Sequence, residues 1–182
     1  MTEIRFSGFG GQGIIRCGLI AGKALSLYDN KNATMTQSFG PEARGSACSS
    51  QLVVSKDRVL YPYITSPEIL VTMSQEAYDK YIPNLRENGT LITDSDLVKV
   101  KTQSSDKKIK TFGIPSTRFA EELGNRITAN LVMMGFFTAV TKITSPEAMK
   151  KALPGLVPDR YLDLNIKAFD KGYEYGKGVL KK

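Results

Sequence analysis

The chain has 182 residues, 41% hydrophobic and 24% charged, a composition typical of a globular domain large enough to bury a core. It carries a net charge of +7, two cysteines and no histidine. This inventory excludes a four-cysteine iron–sulfur cluster and the Ser–His or Cys–His pairs of nucleophilic enzymes, and it argues against zinc.

These properties predict a single domain over residues 1–182 in the cytoplasm. No apolar run approaches the length of a membrane span, and residues 1–5 lack the apolar core of a signal peptide. The densest basic cluster, Lys107, Lys108 and Lys110, is not interleaved with aromatic residues. We therefore expect neither a membrane nor a nucleic acid as a partner, and an acidic protein or a phosphate-bearing ligand fits the charge better.

A glycine-rich turn follows the first predicted strand and precedes an amphipathic helix predicted over residues 14–27. Gly8, Gly10 and Gly13 match the G-x-G-x-x-G spacing. We expect Gly8 to adopt the backbone angles of a tight turn, and Gly10 and Gly11 to let another group approach the main chain. Gly13 would let the helix start against the strand. The unpaired N–H groups at the start of that helix then predict a site for phosphate or another anion.

The turn does not match an ordinary dinucleotide site. Such a site has an acidic residue at the end of the second strand, about 20 residues further on, to bind the ribose hydroxyls. The second strand is predicted over residues 33–37, which contain no carboxylate, and Asp29 lies before it. NAD binding is thus disfavoured. Two interpretations remain: the turn contacts an anion, or its glycines only let helix and strand pack closely.

The remaining pattern alternates strands and helices, which predicts an α/β layered domain with a largely parallel sheet. Further strands are predicted over 49–55, 58–61, 69–73, 90–93 and 109–114. A hairpin between 49–55 and 58–61 would make the sheet mixed. Helices are predicted over 75–81 after Ser74, from Ser116 or Thr117, over 127–140, from Pro146 after Ser145, and over 162–173. The tail, 176–182, is predicted to be frayed.

A polar loop after the second strand is the second candidate site. It reads Ser-Phe-Gly-Pro-Glu-Ala-Arg-Gly-Ser-Ala over residues 38–47. We expect the first two strands to be neighbours, so that this loop and the glycine turn leave the same edge of the sheet, where ligands bind. Arg44, flanked by small residues, has room to reach a carboxylate or phosphate. Alternatively, Glu42 and Arg44 pair with each other or face water.

Five other polar or reactive residues are interpreted as structural. Cys17 is predicted to be a packed residue, and Cys48 is more consistent with burial than with a reactive thiol. Asn130 lies in an apolar helix, where its amide must find backbone partners or a neighbouring chain. Asp94 and Asp96 follow a strand, and without a second acid or a metal motif they are expected to cap a turn.

Several motifs closely resemble the gamma subunit of 2-oxoacid:ferredoxin oxidoreductases. They are the glycine turn at 8–13, Ser-Phe-Gly-Pro-Glu-Ala-Arg-Gly at 38–45, Met-Ser-Gln-Glu-Ala-Tyr at 73–78, Ile-Pro-Ser-Thr at 114–117, Ala-Asn-Leu-Val-Met-Met-Gly at 129–135 and Asn-Ile-Lys-Ala-Phe at 165–169. The resemblance spans nearly the whole chain. The Pro-Glu-Ala-Arg loop is most similar to the 2-oxoglutarate branch, whereas Ser46 stands where that family usually has a second glycine.

The resemblance implies a three-layer α/β/α fold and an accessory role in an enzyme that converts a 2-oxoacid and coenzyme A (CoA) to acyl-CoA and carbon dioxide, with electrons passed to ferredoxin. It implies that thiamine diphosphate, Mg²⁺ and iron–sulfur clusters are held by alpha, beta and ferredoxin-like partner chains, and that this chain holds no cofactor alone and has no catalytic residue. The residues it implies for CoA binding are Gly10, Gly11, Gln12, Gly13, Arg44 and Gly45.

Three functions remain open. The first is a CoA-binding gamma subunit, for 2-oxoglutarate or for pyruvate, branched-chain oxoacids or indolepyruvate. The second is a purely structural subunit, in which the glycine turn and the loop are partner interface. The third is a free-standing nucleotide-binding protein. We favour them in that order.

Overall fold

The computed structural model describes residues 1–39, 47–101 and 108–181. The strands in this part of the chain are β1 Thr2–Phe9, β2 Asn32–Ser38, β3 Ala47–Ser55, β4 Ile69–Thr72, β5 Thr90–Asp94 and β6 Lys110–Ile114. Its α-helices are α1 Ile14–Leu27, α2 Gln75–Tyr81, α3 Ser116–Glu122, α4 Ala129–Thr141, α5 Pro146–Ala152 and α6 Leu162–Val179. The predicted caps of α2 and α5 are confirmed: Ser74 accepts from the Ala77 N–H at 3.3 Å and Ser145 from the Ala148 N–H at 3.1 Å.

The sheet has the order β2-β3-β1-β4-β5-β6. The strands of the part β1-β4-β5-β6 are parallel to their neighbours. In contrast, β3 is antiparallel to both β1 and β2. The predicted α/β class with a mostly parallel, mixed sheet is confirmed. The predicted strand over 58–61 is wrong. Since β1 and β2 already occupy both edges of β3, no free edge is left there for a hairpin partner.

The prediction that the first two strands are neighbours is also wrong, because β3 lies between β1 and β2. The loop after β2 and the glycine turn nevertheless leave the same edge of the sheet. As β3 is antiparallel to each of them, β1 and β2 run in the same direction and end at the same edge of the sheet.

The sheet separates two apolar clusters, giving three layers. The larger cluster contains residues from α1, α3, α4, α5 and α6, packed on strand residues such as Phe6 and Val71. The smaller one joins Ala77 and Tyr78 of α2 to Leu70 and Leu91 of the neighbouring strands. Side chains therefore alternate between two buried faces along the central strands, as expected when helices cover both sides of a sheet.

The last helix is longer than predicted. It continues to Val179, although residues 176–182 were expected to fray. The glycines of this segment are packing contacts: a β carbon at Gly172 would lie 1.9 Å from the Val132 carbonyl oxygen of α4, and one at Gly176 would lie 2.7 Å from the Ala139 β carbon. Close contact with α4 thus holds the end of the helix.

Candidate functional site

The glycine turn connects β1 to α1 at the carboxyl end of the strand. Gly11 and Gly13 have positive φ angles of 98° and 76°, which favour glycine. Gly8 instead lies within β1, so the predicted tight-turn angles occur at Gly11 and Gly13. Gly8 is required for space, because a β carbon there would lie 2.5 Å from the side-chain oxygen of Gln12.

The Gln12 side chain braces the turn. Its Oε1 accepts from the Phe9 N–H at 2.7 Å, and its Nε2 donates to the carbonyl oxygen of Met73 at 2.9 Å. Met73 directly follows β4, the parallel neighbour of β1. Gln12 therefore links the ends of two central strands, and its amide already has partners within the chain.

The N-terminus of α1 has free donors. Its N-cap is Gly13 in the left-handed conformation, no side chain in the described part of the protein caps it, and its first turn contains no acidic residue. The backbone N–H groups of the first helical turn have no carbonyl partner within the helix, and they carry the positive end of its dipole. Gly10 and Gly11 are exposed beside them. This is the local geometry that an anion site requires.

A cleft of about 230 Å³ opens in front of the turn. It is lined by Gly11, Gln12, Met73, Thr117, Arg126 and Ile127. The position agrees with the rule that ligands of parallel sheets bind beyond the carboxyl ends of the strands. Arg126 was not predicted to be part of the site; it lies in a short 3₁₀ turn, Arg126–Thr128, and its side chain is 69% exposed. Its ion pair with Glu121 is a long contact of 3.7 Å, so its charge remains available to the cleft.

Asp94 fixes the opposite wall of the cleft. Its Oδ2 accepts from the Ser116 hydroxyl at 2.5 Å, the Thr117 N–H at 2.9 Å and the Thr117 hydroxyl at 2.7 Å. Its Oδ1 accepts from the Asp96 N–H at 3.1 Å, which confirms the predicted turn cap. The carboxylate is fully buried. It is a structural group that holds the start of α3, and with it Thr117, at the cleft.

Asn130 lies behind the turn, as the second residue of α4. Its Oδ1 accepts from the Leu131 N–H at 2.9 Å, whereas its Nδ2 has no partner among the described residues. The amide nitrogen lies against Gly13, 2.2 Å from where a β carbon at that position would be. The expectation that this buried amide finds backbone partners or a neighbouring chain is met at the oxygen by the Leu131 N–H.

The predicted residues Arg44 and Gly45, with Ser46 and the rest of their loop at 40–46, lie outside the described residues. The cluster Lys107 to Lys110 is described only from Lys108 onward. Of the six residues predicted to bind CoA, the structure thus brings together four, Gly10, Gly11, Gln12 and Gly13. To these it adds Thr117, Arg126 and Asn130. No sequence spacing relates these three residues to the turn, because only packing brings α3 and α4 to it.

Both cysteines are buried, as predicted. Removal from water raises the pKa of the Cys17 thiol to about 12, and burial also raises the pKa of Cys48. These thiols are therefore protonated at neutral pH. Among residues 1–39, 47–101 and 108–181, no group of three or more Cys, Asp or Glu side chains is arranged to hold a metal ion. None of the helices in the described part combines the length and hydrophobicity needed to cross a membrane.

A family model described as pyruvate ferredoxin/flavodoxin oxidoreductase matches residues 3–175 of this sequence. The chain belongs to this family. Within it, the chain is 48% identical over 176 residues to the 2-oxoglutarate synthase subunit KorC of Methanocaldococcus jannaschii, covering 96% of this chain and 94% of that protein. It is 44% identical to the corresponding subunit of Methanothermobacter marburgensis, with 94% and 95% covered.

A solved structure of this family agrees with the fold. The keto/oxoacid ferredoxin oxidoreductase gamma subunit from Geobacter sulfurreducens superimposes with a TM-score of 0.83 at 39% identity, covering 98% of this chain and 99% of that one. The resemblance to gamma subunits is thereby confirmed, together with the predicted fold class. The homologues are subunits of 2-oxoacid:ferredoxin oxidoreductases, so the chain is a subunit of an oxidoreductase of this type.

Proposed function

We propose that this chain is the gamma subunit of a 2-oxoglutarate:ferredoxin oxidoreductase, which forms an acyl-CoA and carbon dioxide from a 2-oxoacid and CoA. The observation that carries the proposal is the 48% identity, over nearly its whole length, to a 2-oxoglutarate synthase subunit. The chain's own part would be to pack on the catalytic chains and to help bind CoA.

An iron–sulfur cluster does not fit this chain. A cluster needs four thiolates, and the sequence has two cysteines, both buried and protonated at neutral pH. Our proposal assigns the clusters, which carry electrons, to the alpha, beta and ferredoxin-like chains. It assigns thiamine diphosphate, which stabilises the carbanion of the oxoacid, and its Mg²⁺ to those chains as well.

The glycine turn and its cleft support CoA as the ligand. CoA carries a pyrophosphate and a ribose phosphate, and the turn offers exposed main chain at Gly10 and Gly11, free N–H groups at the start of α1, and Arg126. Neither phosphate group requires the ribose-binding carboxylate that the second strand lacks. Arg44 and Gly45 are proposed to complete the site from the loop that follows β2.

Partner packing is supported by an apolar segment between β3 and β4. Leu60, Tyr61 and Tyr63 have exposed fractions of 86%, 64% and 60%, and the two tyrosine rings stack edge to face. Exposed apolar side chains grouped in one segment are typical of protein interfaces. This observation favours a second candidate, a subunit that only supports assembly, and the Gln12 amide, which is engaged within the chain, fits that role too.

The two candidates differ in what Arg44→Ala should do to the complex co-expressed with its alpha and beta chains. A CoA role predicts a higher KM for CoA with normal assembly and normal thiamine loading. A purely structural role predicts weaker co-purification with an unchanged KM, which would rule out Arg44 as a CoA ligand. Arg160→Ala, which removes an exposed guanidinium before α6, is the matched control and should change neither quantity.

The substrate is tested by turnover of the purified complex with 2-oxoglutarate, pyruvate, a branched-chain 2-oxoacid and indolepyruvate. The proposal expects the highest kcat/KM for 2-oxoglutarate. Turnover by the isolated chain would contradict an accessory role, and tight binding of NAD or a flavin to it would favour a free-standing nucleotide-binding protein.

A further inference from the structure

The side-chain amide of Asn130 is a buried hydrogen-bond donor in α4. The residue is 1% exposed, and its Nδ2 has no acceptor among the described residues. A buried donor without an acceptor destabilises the folded state, so the position of this group calls for an explanation. A leucine at this position would fill a similar volume without this loss.

Asn165, in α6, shows the contrast within the same molecule. It is also buried, at 6% exposure, but its Nδ2 donates to the Tyr161 carbonyl oxygen at 2.7 Å. Its amide is accounted for by the fold. The two buried asparagines thus differ in one respect: a described residue accepts from the amide of Asn165, and none accepts from that of Asn130.

The unused donor lies at the N-terminus of α1. Its nitrogen occupies the space that the missing side chain of Gly13 leaves, and Gly13 is the N-cap of that helix. The neighbouring Ala129 lines the cleft in front of the turn. The side-chain amide of Asn130 therefore lies beside Gly13, the residue directly before the first backbone N–H groups of α1. An anionic oxygen there would satisfy both.

We propose that Asn130 is a ligand-binding residue whose Nδ2 donates to a phosphate oxygen of CoA held at the N-terminus of α1. The inference rests on the proposed function, since it takes CoA as the ligand of the glycine turn. It explains why an amide occurs in an otherwise apolar stretch of α4. It also explains why residue 13 is a glycine, since a side chain there would collide with that amide.

The test is the KM for CoA of the assembled enzyme carrying Asn130→Leu. Loss of a hydrogen bond to a charged group should raise KM roughly tenfold or more, with a much smaller change in kcat. The thermal stability of the variant should be close to that of the wild type, because the leucine removes an unsatisfied donor together with one bond to the Leu131 N–H.

Asn130→Asp is the second variant. It keeps the shape and the acceptor oxygen but replaces the donor with a negative charge, so its KM should rise further than that of the leucine variant. Asn165→Leu is the matched control, because its amide is partnered: its stability should fall while its KM for CoA stays unchanged.

An unchanged KM in either variant at position 130, with normal assembly, would overturn the assignment of Asn130. The proposed function would stand in that case, provided that the wild-type complex still requires CoA for turnover. A wild-type complex whose turnover does not depend on CoA would instead remove the proposed function, and this inference with it.

Discussion

Two groups of glycines in this protein have opposite surroundings. Gly11, in the turn after β1, has a positive φ angle and open space where a side chain would be. Gly135 and Gly172, where α4 and α6 cross, lie within helices, and a β carbon at either would come within 1.9 Å of a backbone oxygen of the other helix. In the turn, glycine supplies a conformation; at the crossing, it supplies contact between two backbones.

Gly13 combines both situations, because it has a positive φ angle and also a close neighbour, the Asn130 amide. This makes the turn a junction between α1 and α4 as well as an exposed loop. The comparison teaches that a glycine motif near a predicted site can be read only when its neighbours are known.

The largest effect is expected for Gly172→Ala. The added β carbon would meet the Val132 carbonyl oxygen at 1.9 Å, and since neither helix backbone can yield easily, the helices must separate. We expect the free energy of unfolding to fall by about 3 kcal/mol or more, measured by urea denaturation. A variant as stable as the wild type would show that the crossing is looser than described.

Gly13→Ala is expected to be the next most disruptive change. It places a side chain at a φ of 76° and against the Asn130 amide, so both strain and crowding apply. The loss of stability should be about 2 kcal/mol. Gly11→Ala, which has a positive φ but open space around it, is the control and should lose less. Equal losses in the two variants would contradict the contact with Asn130.

The pH dependence of stability tests whether water reaches the Cys17 thiol in the folded protein. Cys17 faces the core, and its pKa is raised from 9.0 to about 12 by removal from water. The unfolded thiol ionises first, so this contribution to stability is complete below pH 9.0 and is lost as the pH rises toward about 12.

The contribution of Cys17 to the free energy of unfolding should fall by up to about 1.4 kcal/mol per pH unit in that window. Urea denaturation of the wild type and of Cys17→Ala across the window isolates this contribution, because the other titrating groups are common to both. Parallel pH profiles would mean that water reaches the thiol in the folded state.

The smallest effect is expected at Gly178, in the last turn of α6. A β carbon there meets nothing within 4 Å, in contrast to Gly172 on the same helix. Gly178→Ala should therefore raise stability slightly, by about 0.5 kcal/mol, through better helix propensity. Thermal denaturation would detect the shift, and a loss of stability would indicate a contact at the end of α6.

The sequence predicted the local features well. The positions of most strands and helices and the caps at Ser74 and Ser145 follow from patterns that span a few residues, and they are confirmed. The predicted family is also confirmed, because its motifs are specific in combination. One error is local, because the turn angles predicted for Gly8 occur at Gly11 and Gly13. The other errors concern relations between distant segments: the place of β3 between β1 and β2, the absence of a strand at 58–61, and the length of α6.

The candidate site likewise has a part that local sequence predicts and a part that depends on packing between distant segments. The turn at 8–13 was visible in the sequence because glycine spacing and the strand–helix order are local. Arg126, Thr117 and the unused donor of Asn130 were not visible as parts of it, since α3 and α4 reach the turn only through packing.

The sequence by itself determined most of the elements, the chemistry that the chain lacks and the location of the glycine turn. Only the tertiary structure decided which side chains lie at the start of α1 and which glycines let α4 and α6 pack closely. The physical reason is that a hydrogen bond or a close contact depends on distances of a few ångströms in space, and separation along the chain does not encode them.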